Sequence, residues 1–278
     1  MLQLTSPLPL IEIRPDPPAL PRLVEAWTYR ELLMFLAWRD VAVRYKQTAL
    51  GVSWAVLQPV LTMAIFTLIF GRLAAVPTDG VPYPLFAFCG LLPWQLFSFA
   101  LGASANSLVA NERLVTKVYF PRIVIPLASV IAGLVDFAIA FVLLMGLMYY
   151  YAVPISATIL ALPVLVLAAV AAATAVGILL SAVNVRFRDV KHALPFLTQI
   201  WMLATPIAYS TSLFPERWRP LFALNPMVGV VEGFSWSLLG HTEATGTVFL
   251  VSGAILLLGM AFSVSYFLRV ERSFADLI

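Results

Sequence analysis

LFALNPMVGVVEGFSWSLLG, residues 221–240, is mostly apolar and long enough by count to cross a bilayer, yet it contains Asn225-Pro226, Gly229, Glu232 and Gly233. Whether it crosses decides which face every other loop occupies, and the allocation of cations supplies the answer. With six spans elsewhere, one side receives Arg14, Arg22, Arg30, Arg39, Arg44, Lys46, Arg113, Lys117, Arg122, Arg186, Arg188, Lys191, Arg269 and Arg272. The other side keeps Arg72, Arg217 and Arg219. A seventh crossing at 221–240 expels Arg269 and Arg272 and turns the basic-free 241–246 loop inward. Short inner loops gather Lys and Arg, so the bias favours six spans with both termini cytoplasmic. Residues 221–240 are then a re-entrant or outer-surface helical pair broken at Pro226. Irregular backbone at such depth survives only where protein buries it or where it lines a watery cavity, which makes this segment a first pointer to a pathway.

Outward from it, the apolar runs are long. Uncharged residues 47–71 hold span one (52–70), and 81–110 hold span two (85–109). Residues 123–185 contain one acid, Asp136, and are too long for one crossing. Tyr149–Tyr151 and Pro154 divide them into spans three (123–148) and four (158–183). Span five is expected over 193–209 and span six over 247–268. Together residues 47–270 form the transmembrane domain, followed by a short cytoplasmic tail at 271–278.

Composition rules out the soluble alternatives. The 278 residues are 62% hydrophobic and 11% charged, and mean hydropathy is +0.95. Soluble domains run near half apolar and a quarter charged. The fold class is therefore an all-α membrane protein. A net charge of +3 sits in short clusters between apolar runs, which argues against nucleic acid as a partner. Cys89 is a single thiol in an apolar stretch and reads as a small buried residue.

Residues 1–26 are proline-rich, with six prolines before Arg22, and read as an extended lead-in rather than a signal peptide. Residues 27–46 follow, with charges at both ends of the uncharged stretch Leu32–Trp38. Seven residues cannot cross a membrane, so the segment is expected to be an interfacial helix lying on the membrane surface. Its charges fall into two groups on the helical wheel rather than on one face.

Several chemistries are missing. The sequence has no G-x-x-x-x-G-K-[ST] loop, and none of its three lysines follows a glycine. It has no H-E-x-x-H or Cys/His spacing suited to a metal, and no nucleophile–base set that implies a catalytic residue. Asp136 is the only ionisable group within the spans, so ion-coupled transport is thinly supported. Driving energy is expected from another chain.

An ordered set of motifs then carries a resemblance. Trp38-Arg39-Asp40-Val41-Ala42-Val43-Arg44-Tyr45-Lys46-Gln47-Thr48 leads into Leu50-Gly51, Trp54 and Gln58-Pro59. Gly90-Leu91-Leu92-Pro93-Trp94, Asn111-Glu112 and Lys117-Val118-Tyr119-Phe120-Pro121-Arg122 follow. Next come Asn184-Val185-Arg186-Phe187-Arg188-Asp189-Val190, Thr205-Pro206-Ile207 and Leu224-Asn225-Pro226. The chain resembles the permease subunit of ABC exporters in the polysaccharide, O-antigen and teichoic acid export family. The resemblance implies a homodimer bound to two copies of a cytoplasmic P-loop ATPase, with ATP and Mg on that partner and no cofactor on this chain. The cargo it implies is a lipid-linked polysaccharide such as O-antigen or capsule. A teichoic acid, lipid or small-molecule exporter of the same superfamily is the first alternative, and an ATPase-independent carrier or membrane enzyme the second.

The resemblance also distributes roles. Asn111, Glu112, Arg113, Lys117, Tyr119 and Arg122 occupy the place of an ATPase-coupling helix, with Asn111 expected as its N-cap; an ordinary basic loop is the plainer reading. Arg186, Arg188 and Asp189 form a second contact, with ATPase or lipid phosphate. Arg39, Asp40, Arg44 and Lys46 guard the pathway's inner mouth, where arginine forks suit phosphate. Spans one and five line the dimer seam, with Trp54, Phe66, Phe70, Gln199, Trp201, Thr205 and Tyr209 as pore candidates against the alternative of simple packing. Asp136 must face the bundle, be neutral or bond a neighbour such as Ser98 or Thr174. Asn225 and Glu232 are placed at an outer exit.

Overall fold

The computed structural model describes residues 25–46, 51, 53–78, 80–209, 211, 218–240 and 246–277. The lead-in up to residue 24 lies outside the described residues. Every regular element among those described is helical.

Helix α1 (Arg30–Lys46) begins with Glu31 and ends with Arg44 and Lys46, the polarity that a helix dipole favours. It buries Leu36, Ala37 and Val41 along α5 and leaves Phe35 and Trp38 exposed. Helix α2 (Ser53–Phe66) continues into a π-helical stretch, Thr67–Leu73. Helix α3 (Tyr83–Ala110) starts on Pro84 and is buried along most of its length. Proline suits that first turn because the amide it lacks has no partner there. A short α4 (Glu112–Lys117) leads to α5 (Val124–Tyr150). A 3-10 turn, Ala157–Ala161, opens into α6 (Leu162–Arg186). Helices α7 (Val190–Leu203), α8 (Arg219–Phe222), α9 (Pro226–Leu239) and α10 (Gly246–Val270) complete the bundle.

Among the described residues, five helical stretches are long and apolar enough to cross a membrane: 53–73, 83–110, 124–150, 157–186 and 246–273. They match the first four expected spans and the last. The fifth expected span, 193–209, does not form one long helix. Helix α7 has 14 residues, about 21 Å of rise against a hydrocarbon core of about 30 Å. Pro206 has no amide hydrogen, and its ring disfavours helical backbone at Thr205. The Thr205 hydroxyl donates to the Trp201 carbonyl at 2.8 Å, taking an acceptor that the next helical turn needs. The chain nevertheless continues along α3. Trp201 meets Phe97 edge-on at 4.9 Å, Ile207 lies against Gly90, and the Tyr83 hydroxyl donates to the Ala208 carbonyl at 2.8 Å.

Asn225 starts α9, its Oδ1 accepting from the Met227 amide at 3.0 Å, and Pro226 takes the first helical position. Left-handed Gly240, at φ +72°, ends the helix. Between those caps α9 is buried against α3, α6 and α10. Thr158 and Ser237 exchange side-chain-to-carbonyl hydrogen bonds of 2.9 Å each, pinning the end of α9 to the start of the α6 stretch.

Residues 271–277, expected as part of a tail, fold back. Glu271–Ser273 form a 3-10 turn and Phe274 is buried, edge-on to Phe267 at 5.3 Å. The aromatic ring has more to gain from the apolar cluster around Leu108, Val115 and Phe120 than from water.

Helices α3 and α6 approach most closely at Gly177, where an added Cβ meets Ser104 Oγ at 2.6 Å and its Cβ at 2.7 Å. Small residues permit such contacts between apolar helices. Gly177→Ala is expected to destabilise the chain by about 1–3 kcal/mol, read as a lowered unfolding temperature in lipid nanodiscs. Adding Ser104→Gly should restore most of the loss. An unchanged transition in the single variant contradicts this packing.

Candidate functional site

Two regions collect the polar chemistry. The first is the end of the bundle that carries α4, the α6–α7 turn and the C-terminal turn. Val115 and Phe120 are buried in the bundle, so Glu112, Arg113, Lys117, Val118 and Tyr119 project from the opposite face of the α4 segment. Tyr119 is 71% exposed. Arg186, Phe187, Arg188 and Asp189 are exposed on the neighbouring turn. The result is a basic and aromatic surface on a rigid underside.

Two residues of that group do something else. Asn111 does not cap α4 with its side chain. Its Oδ1 accepts from Arg39 Nη2 at 2.9 Å, and its Nδ2 donates to the Ser107 carbonyl at 2.8 Å, closing the end of α3. Arg39 and the Ser107 carbonyl, which also accepts from the Asn111 backbone amide at 3.1 Å, claim this side chain in place of the α4 amides. Arg122 is tied to the C-terminal turn: its amide donates to Glu271 Oε1 at 2.8 Å, and its Nη1 donates to the Glu271 carbonyl at 2.6 Å.

The second region runs along the α1–α5 contact. Arg39 Nη2 also donates to Asp40 Oδ1 at 2.8 Å, and Ser129 Oγ donates to Asp40 Oδ2 at 3.2 Å. One turn further on, Arg44 Nη1 donates to Asp136 Oδ2 and the Tyr45 hydroxyl to Asp136 Oδ1. The Arg44 guanidinium lies 3.9 Å from the centroid of Phe99, a cation–π contact. Asp136 is twelve residues into α5, about 18 Å from its start. Helix α1 therefore rises beside α5 instead of lying flat across its end, because its two charge groups answer acids and polar groups at two depths. Ser98 and Thr174, the expected neighbours of Asp136, are not its partners. Lys46 is exposed at the end of α1.

Beyond the Arg44–Asp136 pair opens a chamber of about 560 Å³ between α1, α2, α3 and α5. Helix α2 turns Trp54, Gln58 and Thr62 toward it, spaced by four, which puts them on one face. Helix α3 contributes Trp94, Gln95, Ser98 and Phe99, and α5 contributes Gly133, Asp136 and Phe137. The sequence reading singled out Trp54 and Asp136 here, with Ser98 as a neighbour of Asp136, and missed Tyr45, Gln58 and Gln95. The four-residue spacing of Trp54, Gln58 and Thr62 was a usable signal.

The other pore candidates scatter. Phe66 and Phe70 form a tilted pair at 5.4 Å on α2, and Gln199 is exposed on α7. Trp201 Nε1 donates to Asn225 Oδ1 at 2.9 Å, and Asn225 Nδ2 donates to Thr205 Oγ1 at 2.9 Å. Thr205 is 1% exposed, so it belongs to this knot and does not face an open wall. The Tyr209 hydroxyl donates to the Leu203 carbonyl at 2.8 Å. Glu232, 8% exposed, points inward from α9 rather than into an outer mouth, as its helix is enclosed on three sides.

The ABC-2 type transporter family matches residues 31–239. The chain is 34% identical over 249 residues to the O-antigen export system permease protein RfbA of Myxococcus xanthus, covering 87% of this chain and 95% of that protein. It is 26% identical over 253 residues to an O-antigen export system permease protein RfbA of Klebsiella pneumoniae, covering 89% and 95%. Similarity also extends to the polysialic acid transport protein KpsM of Escherichia coli, at 25% over 203 residues, covering 70% and 76%.

Asp136→Ala is expected to cost about 2 kcal/mol, since it leaves Arg44 half-buried without its carboxylate. The double variant Arg44→Leu with Asp136→Leu should recover more than half of that. Thermal unfolding in nanodiscs reads both, and a double variant less stable than the single one refutes the pairing account.

Proposed function

The chain belongs to the ABC-2 type transporter family, and from that premise we propose that it is the permease subunit of an ATP-driven exporter of an O-antigen-type, lipid-linked polysaccharide. It is a transport subunit and not an enzyme. The observation that carries the cargo is the near full-length similarity to O-antigen export permeases. ATP and Mg belong to a separate P-loop ATPase, which supplies the energy of hydrolysis.

In this reading the chain makes six crossings and both termini are cytoplasmic. The path of residues 190–208 along α3, from the basic end to Tyr83, supports a crossing that is a helix followed by a short run of bends. The return of Asn225 to the level of Trp201 and Thr205, followed by α9 running to Thr158, supports a re-entrant pair at 221–240. Positive-inside bias supports the orientation.

Two copies of the chain form the conduit. Helix α2 and its π-helical continuation expose Leu57, Leu61, Ile65 and Leu68, and α7 exposes Phe196, Leu197, Ile200 and Leu203. These two apolar faces support a seam made by the first and fifth crossings. A sliding sugar chain needs weak contacts at many points, which aromatic faces and uncharged polar groups provide.

Coupling runs through the α4 segment. Arg113 and Lys117 meet acidic groups of the ATPase, and Val118 and Tyr119 fill apolar hollows, while Val115 and Phe120 carry the push into the bundle. Arg186, Arg188 and Asp189 make the second contact. Arg39, Arg44 and their acids brace α1 at the inner mouth, where exposed Lys46 meets phosphate of the lipid carrier or of membrane lipid.

Arg113→Ala with Lys117→Ala is expected to weaken ATPase association roughly tenfold and to remove most surface polysaccharide, with the amount of chain in the membrane unchanged. If association and export both survive, the coupling assignment is wrong. A C-terminal label found outside intact cells contradicts the orientation.

A further inference from the structure

The chamber beside Arg44 and Asp136 has no role in the coupling or seam described above, and its lining is unusual for a membrane interior. Gln58, Gln95 and Ser98 open onto it, and none makes a side-chain hydrogen bond among the described residues. An amide left unmade in hydrocarbon costs several kcal/mol, so these groups face water or a ligand rich in hydroxyls. Trp54, 48% exposed, shares the lining and sets a large apolar ring beside the amides, while Trp94 is buried against Phe97 at the chamber's base.

The charges narrow the class of ligand. Arg44 is neutralised by Asp136 and covered by Phe99, so the pair presents no net charge to the chamber. A site for phosphate needs uncompensated cations. A neutral site with an aromatic face, two free amides and a hydroxyl fits a ring that carries C–H patches on its faces and hydroxyls on its rim. The volume lies within the roughly 300–1,000 Å³ usual for small-molecule sites.

We propose that this chamber, formed within a single copy of the chain, is a binding site for a neutral pyranose unit. Gln58 and Gln95 hydrogen-bond its hydroxyls and Trp54 stacks on one of its faces. The site is distinct from the seam between copies and deepens the exporter reading, on which it rests. A glycan unit held here is held at the level of the α1–α5 charge pair, so the same helix that guards the inner mouth also forms a wall of the sugar site.

The test uses the full chain in lipid nanodiscs and follows tryptophan fluorescence. Methyl glycosides of glucose, mannose, galactose, rhamnose and N-acetylglucosamine are titrated, with inorganic phosphate and glycerol alongside. At least one glycoside is expected to give a saturable change, and Gln58→Ala with Gln95→Ala to weaken it at least about tenfold without lowering the unfolding temperature. The inference is overturned if no glycoside saturates up to its solubility, if the double variant binds as well as the parent, or if phosphate saturates in place of the sugars. Surface polysaccharide in cells lacking the chain tests the exporter reading separately. Polysaccharide that persists sinks that reading, whereas polysaccharide that depends on the chain while glycosides fail to bind sinks only the chamber.

Discussion

Asn225 holds together two breaks in the helical backbone. Its carbonyl accepts from Trp201 Nε1 and from the Met227 amide, and its amide donates to Thr205. Helix α7 stops at Leu203 and α9 begins at Pro226, and the chain between them is buried at Thr205–Ala208, where orphan backbone groups find little water to turn to. One side chain closes the start of α9 and anchors the end of α7 at the same time. The irregular run to Ala208, the approach of Ile207 to Gly90 and the enclosure of α9 all follow from that junction.

Electrostatics plays a similar part at the other edge. Arg39 with Asp40 and Arg44 with Asp136 form two pairs at successive depths, with Asn111, Ser129 and Tyr45 filling the remaining hydrogen-bonding positions. Such pairs stabilise little relative to apolar residues of the same size, but they tolerate no change of register, because a slipped pair leaves a charge stranded. The α1–α5 contact is therefore fixed in position by its charges and held by Leu36, Ala37 and Val41.

Much of this was legible in the residues. Uncharged runs located the long helices to within a few positions, since hydrophobic length is read directly against bilayer thickness. The break at Pro226 was legible because proline and its preceding asparagine carry a local signal that tertiary context rarely overrides. Pro206 carried the same signal, yet 193–209 was still read as one span, because apolar composition does not separate a kinked helix from an irregular segment buried in protein. The role of Asp136 was half visible. One acid in a span must find a partner, but Arg44 and Tyr45 lie about ninety positions away in the chain, and only the three-dimensional contact brings them together. Asn111, Arg122 and Thr205 looked like exposed functional groups by type, and the fold spends each on its own stability.

Helix α2 buries a single residue, Pro59, among the fourteen of its regular turns. Apart from Pro59 and the partly buried Met63 and Phe66, little of the apolar burial that keeps the protomer folded lies in it. Swinging this helix thus disturbs the interior of the protomer less than moving any helix whose flanks are enclosed. A machine that must widen for a bulky passenger and reseal afterwards does best to move the wall whose detachment the rest of the protein scarcely registers.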